Sequence, residues 1–340
     1  MLEQLEQYGP TRSTAALVAE LNRLYHEFEA DNYESNHPEI FVQLPPLWHE
    51  MCAQAIRLLK NRDEKLRILD FGCGTGFEAR RCLAEFRPDQ VEQLVCYDPS
   101  KEMLHRCRQV LKDSPFRIEF VCDPGELREH AGGFNVLLTN SVLHHMMDPI
   151  ETIRDLARLL SVSAVWLCGH EPSRRFWENS ECRELLRSYR SAQQLRRWVS
   201  PQRCARRLAR WAGIRELPED YAARRALEQS IFERRPPARL ISSLVDYHVI
   251  SSERELNDKK GLDFENLQAS FAGEWELAWR RSYSFLGPHY EGQARELWRR
   301  RARKLAERFP DDGANCSLVW RRIAVRNAVH EGIRARYRTY

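Results

Sequence analysis

The chain has 340 residues, of which 43% are apolar and 30% are charged, and its formal net charge is +4. This composition is sufficient for one large domain or two modest ones, and the near-balanced charge indicates no particular partner. No apolar run approaches the roughly 20 residues that a membrane-spanning helix needs, so we expect no membrane association.

The N-terminal residues and the cysteines are the features of the sequence that indicate a cellular compartment. Residues 1–21 lack the basic n-region and the long apolar h-region of a secretory signal. Ten cysteines are spread from Cys52 to Cys316 without a CxxC or CxxH cluster, and several lie inside apolar runs. We therefore interpret them as reduced thiols of a cytoplasmic protein, and we expect neither a disulfide framework nor a metal site.

The first 60 residues are predicted to be helical. Apolar residues recur at helical spacing through residues 13–28, and Ser13 or Thr14 can cap this helix. A polar stretch follows, and a proline pair restarts a helix at Leu47 that runs to about Lys60.

Short apolar runs then alternate with helical stretches. The runs are RILDF, QLVCYD, IEFVCD, FNVLLTN and AVWLCG. Each is non-alternating, which is typical of strands buried on both faces, and the intervening helices predict a parallel sheet covered on both sides. Right-handed crossovers place the carboxyl ends of such strands at one edge, where ligands bind.

A helical stretch rich in Arg, Glu and Ala interrupts this pattern before the sheet is completed. Two later strand candidates, EWELAWRRSYSF and NCSLVWRR, are separated by another helix. We predict a single α/β domain with a core at residues 61–172, a helical insertion at 173–262 and a completion of the fold at 263–340.

The turn after the first predicted strand is rich in glycine. The segment ILDFGCGTGFEAR carries Gly72, Gly74 and Gly76, whereas the dinucleotide-binding pattern GxGxxG would need a glycine where Phe77 stands. Glycines let the backbone pass close to a ribose and an amino-acid tail. Asp70, two residues before the turn, would repel a pyrophosphate but would attract an ammonium group.

Polar residues end the next three predicted strands. Asp98 can accept hydrogen bonds from both hydroxyls of a ribose, and Asp123 can accept one from the exocyclic amine of an adenine. Asn140 ends the fourth strand at the same edge. A ligand with an ammonium group, a ribose and an adenine but no phosphate is S-adenosylmethionine.

Four motifs stand in register along this part of the chain: LDFGCGTG, YDPSKEML, VCD and NSVLHHMMDP. In these motifs the chain resembles the class I S-adenosylmethionine-dependent methyltransferases, closely over residues 47–169. The resemblance implies a Rossmann-like, seven-stranded, mostly parallel sheet whose last strand is antiparallel. It also implies that residues 1–60 form a lid over the cofactor and that the insertion caps the acceptor.

The resemblance assigns cofactor contacts to individual positions. Asp70 and the three glycines would hold the methionine part, Asp98 the ribose and Asp123 the adenine amine. Further cofactor contacts are implied for Pro99, Ser100, Met103 and Asn140.

A histidine pair after the fourth strand is the candidate catalytic group. Imidazole titrates near neutral pH, so His144 or His145 can take a proton from the acceptor. Two alternatives stay open: a histidine can simply hold the loop through a backbone hydrogen bond, and many relatives work by proximity alone.

Candidate acceptor-binding residues lie in three places. His170 and Glu171 follow the fifth strand, although a solvated loop start is the alternative for this pair. Tyr33 and His37 belong to the predicted lid, and Tyr247 lies in the insertion. The segment YSFLGPHY, residues 283–290, is a further candidate after the sixth strand.

The insertion is strongly basic, with thirteen arginines against five acids over residues 190–240. These arginines do not form one helical face, so we interpret the segment as a solvated, partly ion-paired cap and expect no nucleic-acid partner. We expect the chain to transfer a methyl group from S-adenosylmethionine to a small-molecule acceptor in bacterial specialised metabolism. The alternatives are an RNA or protein methyltransferase and a non-catalytic partner subunit that binds the cofactor.

Overall fold

A computed structural model describes residues 4–60, 64–197, 216–245, 260–288 and 291–323. These residues contain one seven-stranded sheet in the order β3-β2-β1-β4-β5-β7-β6. Its strands are β1 Leu66–Phe71, β2 Val91–Tyr97, β3 Ile118–Val121, β4 Phe134–Asn140, β5 Leu160–Pro172, β6 Trp275–Tyr283 and β7 Asn315–Arg322. The pairs among β1 to β5 are parallel, and β7 is antiparallel to both of its neighbours. The predicted Rossmann-like topology is therefore confirmed.

Helices cover both faces of the sheet. Three α-helices lie before it at Thr14–Glu29, Tyr33–Asn36 and Pro45–Leu59, and three connect its parallel strands at Phe77–Glu85, Lys101–Leu111 and Pro149–Ala157. The later helices are Arg174–Glu178, Ser180–Arg197, Pro218–Glu228, Ala238–Val245, Phe264–Ser270 and Glu296–Arg308. Within the described ranges, no helix combines the length and the apolar character needed to cross a bilayer.

The sheet is buried on both faces, as its non-alternating apolar runs predict. Ile68 and Leu69 are adjacent in β1 and both are fully buried. Ile68 belongs to the core cluster that contains Met51 of the helix Pro45–Leu59, whereas Leu69 belongs to the cluster on the other face that contains Ile153. Successive side chains of a strand point to opposite faces, so one strand supplies both cores.

The N-terminal helix and the insertion share a separate hydrophobic cluster. Leu21 of the helix Thr14–Glu29 packs in this cluster with Ala226 of Pro218–Glu228 and Leu244 of Ala238–Val245. Met147, from the segment after β4, is packed against the same cluster. The predicted lid and part of the predicted cap therefore pack together, next to the loop that carries the histidine pair.

Two local details differ from the sequence prediction. β5 continues to Pro172, so His170 and Glu171 lie within a strand rather than at the start of a solvated loop. The strand is irregular there: its register against β7 shifts between Cys168 and Glu171, and His170 has a φ of 54°. Ser13 occupies the N-cap position of the first helix, but its side chain makes no capping hydrogen bond.

Candidate active site

The glycine turn lies directly after β1 and joins it to the end of β2. The backbone amides of Gly72 and Cys73 donate to the carbonyl oxygen of Tyr97 at 2.8 and 2.9 Å. A β-carbon at Gly72 would lie 2.5 Å from Cγ2 of Val142, whereas a β-carbon at Gly74 would have no atom within 4 Å. The turn is therefore packed tightly at Gly72 and faces open space at Gly74.

Asp98 connects this turn to the next helix. Its Oδ2 accepts from the backbone amide of Gly74 at 3.0 Å, and its Oδ1 accepts from the amide of Ser100 at 2.8 Å. Burial raises the pKa of Asp98 to about 7, in opposition to these two hydrogen bonds. A hydrogen-bonded carboxylate is thus held at a fixed position beside the open side of the turn.

Asp70 lies behind the turn at the end of β1. Its side chain is fully buried, and neither carboxylate oxygen makes a close hydrogen bond with the described residues, although the nearby backbone amide of Ala79 favours the charged form. Burial, followed by the neighbouring Cys107 and Asp98, outweighs this amide and raises the pKa of Asp70 well above its usual range. Burial and the proximity of Asp70 also raise the pKa of Glu78. A cation bound nearby would favour the ionised form of these acids.

A cavity opens beside the turn at the carboxyl edge of the sheet. Its core residues are the predicted cofactor contacts Gly72, Gly74, Asp98, Pro99, Met103 and Asn140. The loop after β4 contributes Ser141, Val142, His145 and Met146, and the N-terminal segment contributes Asn22, Arg23, His26 and Tyr33. Thus the fold brings most of the predicted cofactor residues to one cavity and covers it with the N-terminal segment.

Three predicted cofactor residues also make hydrogen bonds within the protein. Ser100 is buried and its hydroxyl accepts from the amide of Met103 at 3.3 Å, as a helix N-cap does. Asp123 is exposed, and its Oδ1 accepts from the amide of Gly125 at 2.8 Å. Asn140 lines the cavity, and its side-chain oxygen is held by Nε1 of Trp48 at 3.2 Å.

Glu171 anchors the loop that carries the histidine pair. Its Oε1 accepts from the amides of Val142 and Leu143, both at 2.8 Å. Its Oε2 accepts from the amide of His144 at 3.1 Å and lies 2.9 Å from Nδ1 of the same residue. The side chain is fully buried, and burial raises its pKa to about 7 against these hydrogen bonds. The carboxylate is therefore engaged by the loop, although the sequence predicted it as an acceptor-binding group.

His145 is the member of the histidine pair that lines the cavity. Its Nδ1 lies 2.8 Å from the carbonyl oxygen of Val245, so this nitrogen donates and Nε2 of the neutral ring carries the basic lone pair. The ring of His26 approaches it edge-on, with centroids 5.1 Å apart. Burial lowers the pKa of His26 well below its usual value, which keeps that neighbour uncharged.

His37 holds the N-terminal segment together. Its Nδ1 lies 3.1 Å from Oε1 of Glu39, and its Nε2 lies 3.4 Å from Oε2 of Glu29. Burial lowers the pKa of His37, but hydrogen bonds to the two carboxylates outweigh this effect and raise it to about 9. Tyr33, which lines the cavity, packs on the His37 ring with centroids 4.5 Å apart.

A second polar group joins the ends of three strands. Nδ1 of His170 lies 3.0 Å from the hydroxyl of Tyr283, which lies 3.2 Å from the hydroxyl of Ser317. Of the candidate acceptor contacts, Tyr247 lies outside the described residues. The cavity is also lined by Asn22, Arg23 and His26, which the sequence analysis did not predict. The helical spacing of apolar residues shows only which face of a helix is buried, and it does not show which polar residues face a cavity.

Comparison with known proteins identifies the same region of the chain. A family profile described as a methyltransferase domain matches residues 43–216, just over half of the chain. Two similar curated proteins are malonyl-[acyl-carrier protein] O-methyltransferases. The one from Bacteroides fragilis strain 638R is 33% identical over 95 residues, and the one from Halalkalibacterium halodurans is 30% identical over 131 residues. The alignments cover 28% and 35% of this chain but only 18% and 47% of those proteins.

Solved structures align over more of the chain at low identity. The plantazolicin methyltransferase BpumL, in complex with SAH, aligns with 95% of this chain and 98% of its own, at 13% identity and a TM-score of 0.44. The CurJ carbon methyltransferase aligns with 78% of this chain and 51% of its own, at 13% identity and a TM-score of 0.40. On the profile match and the motifs in register, the chain belongs to the methyltransferase-domain family, and its predicted place among the class I S-adenosylmethionine-dependent methyltransferases is confirmed.

Proposed function

We propose that the chain transfers a methyl group from S-adenosylmethionine to an oxygen atom of a small organic acceptor, either free or attached to a carrier protein. The observation that carries this proposal is the arrangement of Asp98 and Asp70 around the glycine turn. One carboxylate is fixed beside the open face of Gly74, and the other carboxyl group is fully buried behind the turn.

The residues present fit this methyl donor. Gly74 leaves room for a ligand close to the backbone, because a side chain there would project into open space. Asp98 is placed to accept from the hydroxyls of a ribose, with Pro99 and Met103 as neighbouring walls of the cavity. A bound ligand that bears an ammonium and a sulfonium group would favour the ionised form of the buried acids.

The chain's own part in the reaction is limited. When bound, the sulfonium supplies a methyl group that is already activated for attack by a nucleophile. The protein must then orient the acceptor, exclude water and accept a proton. His145 lines the cavity with Nε2 as its basic atom, and the N-terminal residues His26 and Tyr33 cover the cavity from solvent.

The names of the curated relatives support an oxygen acceptor. The curated relatives are named for O-methylation of a malonyl group on acyl-carrier protein, although this chain spans less than half of each.

Calorimetry with S-adenosylhomocysteine and a turnover screen test the proposal. The wild-type chain should bind one molecule of S-adenosylhomocysteine. It should also convert S-adenosylmethionine to S-adenosylhomocysteine when carboxylate- or hydroxyl-bearing acceptors are supplied. Asp98→Ala should weaken binding by about 10-fold or more, since hydrogen bonds to a charged group contribute about 1.5–3 kcal/mol. Asp89→Asn is the matched control, because Asp89 is an exposed acid paired with Arg87 at the opposite edge of the sheet.

The possible failures are distinguishable. An absence of calorimetric signal would overturn the cofactor assignment. Binding without turnover of any acceptor would instead support a non-catalytic subunit. Turnover with tRNA or with a protein in place of small acceptors would support the alternative methyltransferase classes.

A further inference from the structure

The fold brings three cysteines together behind the glycine turn. Cys73 lies in the turn, Cys96 in β2 and Cys107 in the helix Lys101–Leu111. All three are buried, with exposed fractions of 1% or less. Their Sγ atoms all lie within 4.8 Å of one another. The sequence contains no CxxC motif that would indicate this cluster, so the sequence analysis predicted reduced thiols and no metal site.

The spacing of the sulfur atoms suits one metal ion. Zinc binds thiolate sulfur at about 2.3 Å, so three sulfurs around one ion lie roughly 4 Å apart. The three Sγ atoms, all within 4.8 Å of one another, are close to this spacing. Thiolates select soft ions such as Zn²⁺ and Cu⁺ over Mg²⁺ and Ca²⁺.

Two buried carboxyl groups lie near the cluster. Asp70 is fully buried and lies close to Cys107. Glu78 is buried beside Asp70. A cation held by the three sulfurs would favour the ionised form of these two carboxyl groups.

The cluster is distinct from the proposed cofactor cavity. None of the three cysteines is among the described residues that line the cavity. The cluster nevertheless packs against the glycine turn, since a β-carbon on Gly76 would lie 2.9 Å from Sγ of Cys107. An ion in the cluster would therefore lie directly behind the backbone that faces the cavity.

We propose that Cys73, Cys96 and Cys107 form a binding site for one soft, thiophilic metal ion behind the glycine turn. On binding, three S–H bonds are replaced by three sulfur–metal bonds, and the protons pass to the solvent without a change in oxidation state. The affinity therefore rises with pH, because thiol protons compete with the metal.

Titration of the full chain with Cd²⁺ tests the site. The protein is first reduced with a phosphine that lacks thiols, and the ultraviolet sulfur-to-cadmium charge-transfer absorption is followed. One equivalent should saturate the absorption. Cys96→Ala and Cys107→Ala should each lose this one-equivalent step.

Cys182→Ala is the matched control, because Cys182 is equally buried and its Sγ bonds the carbonyl of Asp312, away from the cluster. The control should retain the step at one equivalent. Failure of the wild type to bind at one equivalent, or an unchanged step in Cys107→Ala, would overturn the proposal. If both cluster variants fail to fold, ¹¹³Cd NMR of the wild type decides: a shift typical of several sulfur ligands supports the site, and one typical of oxygen and nitrogen ligands excludes it.

Discussion

Nδ1 of His145 lies 2.8 Å from the backbone carbonyl oxygen of Val245. A carbonyl only accepts, so the ring donates through Nδ1, and Nε2 is the basic atom of the neutral imidazole. Val245 ends the helix Ala238–Val245, which belongs to the helical insertion. The insertion therefore sets the tautomer of a histidine that the methyltransferase core supplies to the cavity.

The first prediction concerns His145 as a proton acceptor. His145→Ala should lower kcat by about 10²- to 10⁴-fold, the usual contribution of a general base, and should change the affinity for S-adenosylhomocysteine much less. Steady-state kinetics and calorimetry measure the two effects. The control is His49→Ala, because His49 is an exposed partner of Glu85 outside the cavity. A kcat for His145→Ala within about threefold of the wild type would mean that proximity alone suffices.

The second prediction concerns Glu171 as the anchor of the histidine loop. Glu171→Gln keeps the shape of the side chain but replaces one carboxylate oxygen by an NH2 group, which then faces either the amides of Val142 and Leu143 or the amide of His144. We expect a loss of about 1–3 kcal/mol in the free energy of unfolding, measured by urea denaturation. His144→Ala and Glu171→Gln should be non-additive in a double-mutant cycle, because the two side chains contact each other. Additive effects would contradict a shared role.

The pKa of Glu171 gives this variant a pH signature. Folding raises the pKa from 4.5 to about 7, so the folded protein binds the proton more tightly than the unfolded chain does. The free energy of unfolding therefore falls as pH rises from about 4.5 to about 7. Glu171→Gln should remove this component, and its stability should depend less steeply on pH than that of the wild type. If the free energy of unfolding falls equally steeply with pH in both proteins over that range, the raised pKa does not belong to Glu171.

Local features of the sequence predicted the fold and the floor of the cavity. The glycine turn and Asp98 follow their strands directly, so their positions at the sheet edge could be derived from chain order. The link between His145 and Val245 spans 100 residues, and the three cysteines come from a turn, a strand and a helix. Such contacts depend on how distant elements pack, and no local pattern encodes them.

The position of Glu171 shows a different reason for an incomplete prediction. The sequence correctly indicated that the residue lies at the ligand edge, but it predicted a loop after Gly169. The strand continues through an irregularity at His170, which turns the carboxylate toward the loop after β4. A bulge of this kind shifts the side-chain alternation by one position, and apolar runs do not reveal it.

The third prediction compares two glycines of the turn. Both have positive φ, 76° at Gly72 and 49° at Gly74, so alanine is strained at either position by about 1–3 kcal/mol. Gly72→Ala also clashes with Val142 at 2.5 Å, whereas Gly74→Ala meets nothing within 4 Å. Gly72→Ala should therefore lower the melting temperature more, while Gly74→Ala should fold and mainly weaken S-adenosylhomocysteine binding. Thermal melts and calorimetry separate the two outcomes, and equal melting temperatures would contradict the packing argument.

The fourth prediction concerns His37, which joins Glu29 and Glu39 across the N-terminal segment. Folding raises its pKa from 6.5 to about 9, so the stabilisation is complete below about pH 6.5 and disappears as pH rises through about 9. His37→Gln should therefore be destabilised relative to the wild type at about pH 6, and this difference should shrink by about pH 9.5. Urea denaturation of both proteins at the two pH values measures it. His105→Gln, at an exposed position paired with Gln109, is the matched control substitution. A difference for His37→Gln that is the same at both pH values would show that the histidine acts through packing and not through its charge.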